Sequence, residues 1–291
     1  LQRACSRLTP SFRCTDRTWM VLWFYTTVEN IPEFDMPKEA IHFDPAFSQK
    51  RWVAYFDLLG TQKLTRTRHI VEVFTVYAHA IECASRELHS RNVVRHTWFS
   101  DTFLMFSEND SISDFAYIEQ AARLFAVGLI HRKIPFRGAI SCGNFYGDFI
   151  SNIYFGEALI EAYKYGEIQD WIGFVLCPSA VSRLSSLGFP ATERRNYAFT
   201  NIPLKSKVKD QIDPYLPACV LGDWFQIDGC NPCIDILRDM KSAITDESIL
   251  RKYDRTIQFL EAHHRISMDN QEWPWPSPKP KLSPRNGSRR G

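Results

Sequence analysis

A chain of 291 residues, 45% hydrophobic and 23% charged, has the composition of an ordinary soluble globular protein. Its 35 basic and 33 acidic residues leave a formal charge of +2, which predicts no strong attraction to nucleic acid or a membrane surface. The eight cysteines lie mostly in apolar stretches without a disulfide rhythm, so reduced thiols and a cytoplasmic setting are expected.

Residues 1–48 mix Arg, Cys, Pro and aromatic residues without clear periodicity. Their longest apolar run, Trp19 to Tyr25, is far too short to span a bilayer, and no small-residue cleavage site follows it. From Arg51 the pattern becomes orderly. Trp52 to Leu59 reads as a buried strand closed by Gly60. Ile70, Val73, Phe74, Tyr77, Ile81 and Ala84 then recur at helical spacing. Val93–Phe99 and Thr102–Ser107 predict two strands turning around Ser100-Asp101, and Ser113 to His131 a second helix. Phe136–Gly143 reads as another strand, Asn144–Asn152 as a loop, and Gly156 as the start of a third helix that ends before Trp171. Ile172–Cys177 is a strand closed by Pro178. After Ser179 the pattern is mixed, with strands expected at Tyr197–Thr200 and Cys219–Leu221 and a helix over Ile234–His264. The Pro-rich, basic stretch from Trp273 reads as a disordered tail.

This order predicts an α+β fold, a ferredoxin-like βαββαβ core with an extra helix and strand and a helical C-terminal extension. A sheet of that kind is expected to carry its helices on one face and leave the other open to a ligand or partner. The expected boundaries are 1–48 for a poorly defined segment, 49–185 for a catalytic domain, 186–270 for an extension packed on it, and 271–291 for the tail.

Two carboxylates stand out. Asp57 ends the first apolar strand and Asp101 sits in the hairpin, and an aspartate in a buried strand is costly unless compensated. Taken singly, each has a plain reading, Asp57 as a helix cap and Asp101 as a turn residue. On two neighbouring central strands they suggest a pair of divalent cations, Mn2+ or Mg2+, which favour oxygen ligands and serve phosphoryl transfer. Gly60-Thr61-Gln62 opens the first helix, where backbone N–H groups would face an anion, with Lys63, Arg66 or Arg68 adding charge. Arg137, in an apolar strand, needs a partner: a core acid or a phosphate. Tyr55, His96 and Trp98 flank the aspartates and are either core or walls of a base pocket. Cys230-Asn-Pro-Cys233 has the spacing of half a zinc site, but no second pair accompanies it.

The strand Phe56–Gly60, the Ser100-Asp101 hairpin and the stretch Gly156 to Lys164 resemble the core of class III nucleotidyl cyclases. Phe136–Gly143, Phe155–Tyr163 and Gln169–Gly173 resemble the bacterial pyrimidine cyclases of Pycsar antiphage defence. The resemblance covers about residues 50–185. It implies that Asp57 and Asp101 are ligands of two metal ions, with the Leu58 carbonyl as a further ligand. ATP-using relatives carry a base-reading lysine where this chain has Thr97, and an aspartate where it has Ile153. Both purine-reading groups are therefore missing. The transition-state asparagine and arginine correspond to Ile160 and Lys164. Tyr163 and Lys164 are the candidates there, Lys164 to place positive charge on the α-phosphate as a point charge rather than a fork, with a plain surface-helix face as the alternative. Gly60, Thr61, Tyr55, Thr97 and Arg137 are the candidate substrate-binding residues.

The expected function is conversion of UTP or CTP to the 3′,5′-cyclic monophosphate and pyrophosphate, a second messenger in antiphage defence that a separate effector reads. A homodimer with active sites at its interface is implied, Asp57 and Asp101 of one chain facing Lys164 of the other, with neither nucleic acid nor a membrane as partner. The alternative is a cyclase-like module that binds nucleotide or dimerises without turnover.

Overall fold

The computed structural model describes residues 49–60, 69–87, 94–148, 152–189, 196–205, 212–222 and 231–268, all within the unit Pro45–Gly291. Thr61, Lys63, Arg66, Arg68, Cys230 and both terminal segments lie outside the described residues.

Strand β1 (Gln49–Leu58) is buried from Arg51 onward. Successive side chains of a strand point to opposite faces, which splits β1 into two sets. Trp52, Ala54, Phe56 and Leu58 meet helices α1 (His69–Glu87) and α2 (Ile112–His131) in the main core. Phe56 anchors that core, its ring 5.3 Å from Phe125, 5.8 Å from Phe136 and 5.5 Å from Phe174. Burying one such side chain contributes about 2 kcal/mol. Helix α2 starts at Ser111, whose hydroxyl accepts the Asp114 backbone N–H at 3.1 Å.

The hairpin β2 (Arg95–Phe99) and β3 (Thr102–Phe106) turns at Ser100, whose φ of 57° is left-handed. Strand β4 (Phe136–Asp148) lies on the other side of β1. The spatial order β2-β3-β1-β4, antiparallel at each step, is the ferredoxin-like βαββαβ order expected from the sequence. The chain then adds β5 (Ile153–Phe155), α3 (Glu157–Ile168), β6 (Gly173–Leu176), α4 (Pro178–Ser186), β7 (Tyr197–Asn201), β8 (Tyr215–Cys219), α5 (Pro232–Ser242) and α6 (Glu247–Met268). Strand β6 runs parallel to β4, and the sheet continues through β8 to β7. Among the described residues no helix is long and apolar enough to cross a membrane.

Four expectations need correction. The helices do not share one face: α3 covers the other, with Ala158 against Val53, and Ala162 against Tyr55 and Leu104. The expected loop from Asn144 is strand as far as Asp148, paired with β5 and with the start of β1. Polar Asn144 and small Gly143 and Gly147 break the apolar pattern there without breaking the backbone ladder. The last strand ends at Cys219 rather than beginning there. The expected helix over Ile234–His264 is two helices: the first ends at Ser242, and Asp246 caps the next, accepting the N–H of Ser248 at 2.7 Å.

Candidate active site

The register sets the site's residues in rows. Phe99, Thr102, Asp57 and Arg137 lie side by side on β2, β3, β1 and β4, and Thr97, Leu104, Tyr55 and Ala139 form the next row. Residues directly opposite share a face, so Asp57, Tyr55, Thr97 and Arg137 all point to the side covered by α3. Asp101 follows in the hairpin turn, its backbone carbonyl accepting the Leu58 N–H at 3.0 Å and its charge close enough to act on Asp57. The two aspartates are thus brought together at the ends of adjacent strands. The hairpin edge beyond α3 remains partly open, and Phe99 there is 72% exposed.

Asp57 itself is 2% exposed. Its partner is Arg137, which donates from Nε at 3.0 Å and from Nη2 at 2.7 Å, both to Oδ2. The same Nη2 donates to Glu167 Oε1 at 2.6 Å, and Nη1 donates to the Glu167 carbonyl at 2.9 Å. Tyr55 also donates its hydroxyl to Glu167 Oε1 at 3.3 Å, and Lys205 Nζ lies 3.8 Å from Oε2. Burial pushes the Asp57 carboxyl up to about 6; Arg137 opposes this, while the charges of Glu167 and Asp101 add to it. Burial also raises the Tyr55 hydroxyl, helped by Asp57 and Glu167. Arg137 is pulled down by burial but ends above its ordinary value, because Glu167 and Asp57 more than offset the loss of water. The core acid that Arg137 needed is therefore Asp57 itself, shared with Glu167.

Glu167 had no signal in the sequence. It follows the apolar face of α3 and looks like a solvated helix end, but Gly166 lets that end approach the sheet. A Cβ on Gly166 would sit 2.7 Å from Cδ1 of Tyr55. The missing side chain drops Glu167 onto Arg137.

The remaining candidates are dispersed. Gly60 is exposed with φ +76°, free to turn the chain after β1. Thr97 is half-buried on the site face. His96 and Trp98 point the other way, toward α1, the exposed His96 lying 5.1 Å from Tyr77 and the half-buried Trp98 4.7 Å from Phe103. Tyr163 packs edge-on against Tyr55 at 5.5 Å. Ile160 and Lys164, one turn apart, are exposed on the outward side of α3, and Ile153 opens β5. Gly156, at φ +139°, starts α3 where a Cβ would lie 2.3 Å from the Asn144 carbonyl, so no other residue fits.

For a divalent cation, the chain offers the carboxylates of Asp57 and Asp101 and the carbonyl of Leu58. Among the described residues no three His, Cys, Asp or Glu side chains form a ligating cluster. A hard cation that keeps water and takes substrate oxygens needs only one or two carboxylates. Burial, with the charges of Glu167 and Asp101 adding to it, lifts Asp57 despite its arginine, and a cation there would favour the ionised carboxylate, so the residues fit the group. Cys233 is buried at the start of α5, and no described zinc cluster surrounds it.

No protein-family model matches the chain, and no curated protein matches it. Among solved structures, it is similar to the guanylyl cyclase domain of the RhoGC fusion protein from the aquatic fungus Blastocladiella emersonii. That match has 12% identity over 48% of this chain and 86% of the other, with a TM-score of 0.35. The adenylyl cyclase CyaB from P. aeruginosa matches at 10% identity over 58% and 92%, with a TM-score of 0.38. The guanylate cyclase domain of RhGC from Catenaria anguillulae matches at 10% identity over 59% and 94%, with a TM-score of 0.36. Overlaps this partial leave the functional reading to the sheet order and the site's own geometry.

Proposed function

We propose that this chain is a metal-dependent nucleotide cyclase acting on a pyrimidine nucleoside triphosphate. The observation that carries the reading is the meeting of Asp57 and Asp101 at the ends of adjacent strands, with Asp57 buried and its carboxyl raised to about 6. A carboxylate that stays unfavourable despite an arginine marks a functional group more than a structural ion pair. Mn2+ or Mg2+ bound there would acidify the ribose 3′-hydroxyl and neutralise charge on the triphosphate.

The chain's own residues do the rest by placement. Asp57, Asp101 and the Leu58 carbonyl would hold the cations, and Gly60 would turn the backbone toward the phosphates. Arg137 fixes Asp57, and Tyr55 with Arg137 holds Glu167. Thr97 offers a hydroxyl where ATP-using cyclases carry a lysine, and Ile153 offers no hydrogen bond where they carry an aspartate. A small pyrimidine fits that loss of base-reading groups better than a purine. Lys164, exposed on the outward side of α3, faces away from the sheet of its own chain, which suits a role toward a second subunit. In a head-to-tail homodimer it would meet the α-phosphate over its partner's aspartates, and the cyclic product would go to a separate effector in antiphage defence.

A second reading has one specific observation in its favour. Arg137 already forks onto Asp57, as it would in a nucleotide-binding or dimerisation module that has no turnover. Incubation of the purified chain with each of the four ribonucleoside triphosphates and Mn2+ separates the two. Cyclic UMP or cyclic CMP with pyrophosphate supports the cyclase. Nucleotide binding without product supports the module, and turnover of ATP alone removes the pyrimidine assignment.

A further inference from the structure

Arg137 is shared between two carboxylates of different character. Its Nη2 lies 2.7 Å from Asp57 Oδ2 and 2.6 Å from Glu167 Oε1, so one nitrogen spans both. Its Nη1 is fixed to the Glu167 backbone carbonyl at 2.9 Å, which pins the guanidinium to the end of α3 whichever carboxylate it favours. The Asp57 side chain is 3% exposed and that of Glu167 is 25% exposed. If a cation took Asp57 and nothing else received Arg137, a buried guanidinium would be left unpaired, which is costly. Glu167 supplies that receiver within a small rotation of the fork.

We propose that Glu167 is a positioning residue that sets how tightly Asp57 takes a divalent cation, by giving Arg137 a second acceptor to which it can withdraw. Arg137 thus acts as a resident counter-ion for the empty site and moves aside onto Glu167 when the cation enters. This inference rests on the metal-binding part of the proposed function. It extends that reading to two residues that touch neither the metal nor the nucleotide. Glu167 also ties the device to Tyr55 and Lys205, so its carboxylate keeps its place when the arginine shifts.

The test is Mn2+ titration of the nucleotide-free chain, read by the paramagnetic resonance of unbound Mn2+ and by the Mn2+-induced rise in melting temperature. The Glu167→Gln protein loses both the charge and the strong acceptor, and its Mn2+ affinity should fall roughly tenfold. Glu167→Asp keeps the charge on a shorter arm and should recover part of that loss. Arg137→Met removes the competitor, so Mn2+ should bind at least as tightly as to the wild type. Because its metal-free form is less stable, its Mn2+-induced melting shift should be larger. A merely structural network predicts that Glu167→Gln and Arg137→Met loosen Mn2+ alike, and that result overturns the proposal. Wild-type affinity in Glu167→Gln overturns it as well. Should Glu167→Gln fail to fold, the comparison of Glu167→Asp with Arg137→Met decides by the same signs. A wild-type chain that binds no Mn2+ sinks the metal site itself, a failure distinct from an unaltered affinity in the Glu167 variants.

Discussion

Replacing Asp57 by Asn should make the metal-free protein more stable. The Asp57 carboxyl, ordinarily 3.8, is lifted to about 6 in the fold, burial outweighing the help of Arg137. At about 1.4 kcal/mol per unit, folding with this carboxylate ionised is about 3 kcal/mol less favourable than folding with it protonated. Between pH 3.8 and about 6 the folded chain holds a proton here that the unfolded chain has lost. This group's contribution to stability is therefore greatest at low pH and declines as pH rises through that window. Asparagine is a neutral isostere whose carbonyl can still accept from Arg137, and Arg137 keeps Glu167. Asp57→Asn should then gain about 2–3 kcal/mol at pH 7.5 in chelator, or a melting rise of roughly 5–10 °C. The gain should shrink as pH falls toward 4 and the wild-type carboxyl protonates. Urea denaturation at pH 7.5 and pH 4.5 measures both. If Asp57 were half of a structural ion pair, its removal would cost about 3–5 kcal/mol instead. A loss of that size would refute the reasoning.

Other residues give independent tests. Gly166→Ala gains helix propensity of about 1 kcal/mol but drives a methyl to 2.7 Å from the enclosed Tyr55 ring. Overpacking at about 1–3 kcal/mol should win, so the variant is expected to melt lower, and an unchanged melting temperature would speak against the close approach of α3. Lys164→Ala, on an exposed helix face, should leave stability within about 0.5 kcal/mol and lower turnover about 100-fold. Mixed with Asp57→Asn chains, it should regain turnover that neither variant has alone, since one intact site forms across the mixed dimer; no recovery would count against a shared site. Ser111→Ala removes the cap of α2 and should cost about 1 kcal/mol in urea denaturation without changing Mn2+ affinity.

The core of the fold was legible because its signals are local. The apolar run ending at Asp57, the helical spacing from Ile70 and the turn at Ser100-Asp101 each fall within one element, and the sheet order followed from their sequence. Pro178 marks the end of a strand in the sequence, yet it also opens α4 from the first helical position, where its missing N–H costs nothing. The side of the sheet that α3 covers was not legible. That choice rests on Gly166 meeting Tyr55 and on Ala158 and Ala162 meeting β1, contacts between distant parts of the chain. The aspartates were visible as polar residues in apolar surroundings. Glu167 was not, because a carboxylate at a helix end looks solvated until the tertiary packing places it on Arg137. The same long-range closure is why Arg137 could be read as needing a partner while the partner stayed unnamed.

The central claim is that Asp57 and Asp101 serve cyclisation of a pyrimidine triphosphate. Mass analysis of the product formed from UTP and from CTP with Mn2+ tests it most directly, with Asp57→Ala protein run beside the wild type. The account predicts a nucleoside monophosphate lighter by one water than the linear form, released with pyrophosphate by the wild type and absent with Asp57→Ala. Linear monophosphate, no product from either pyrimidine, or full activity in Asp57→Ala would contradict it.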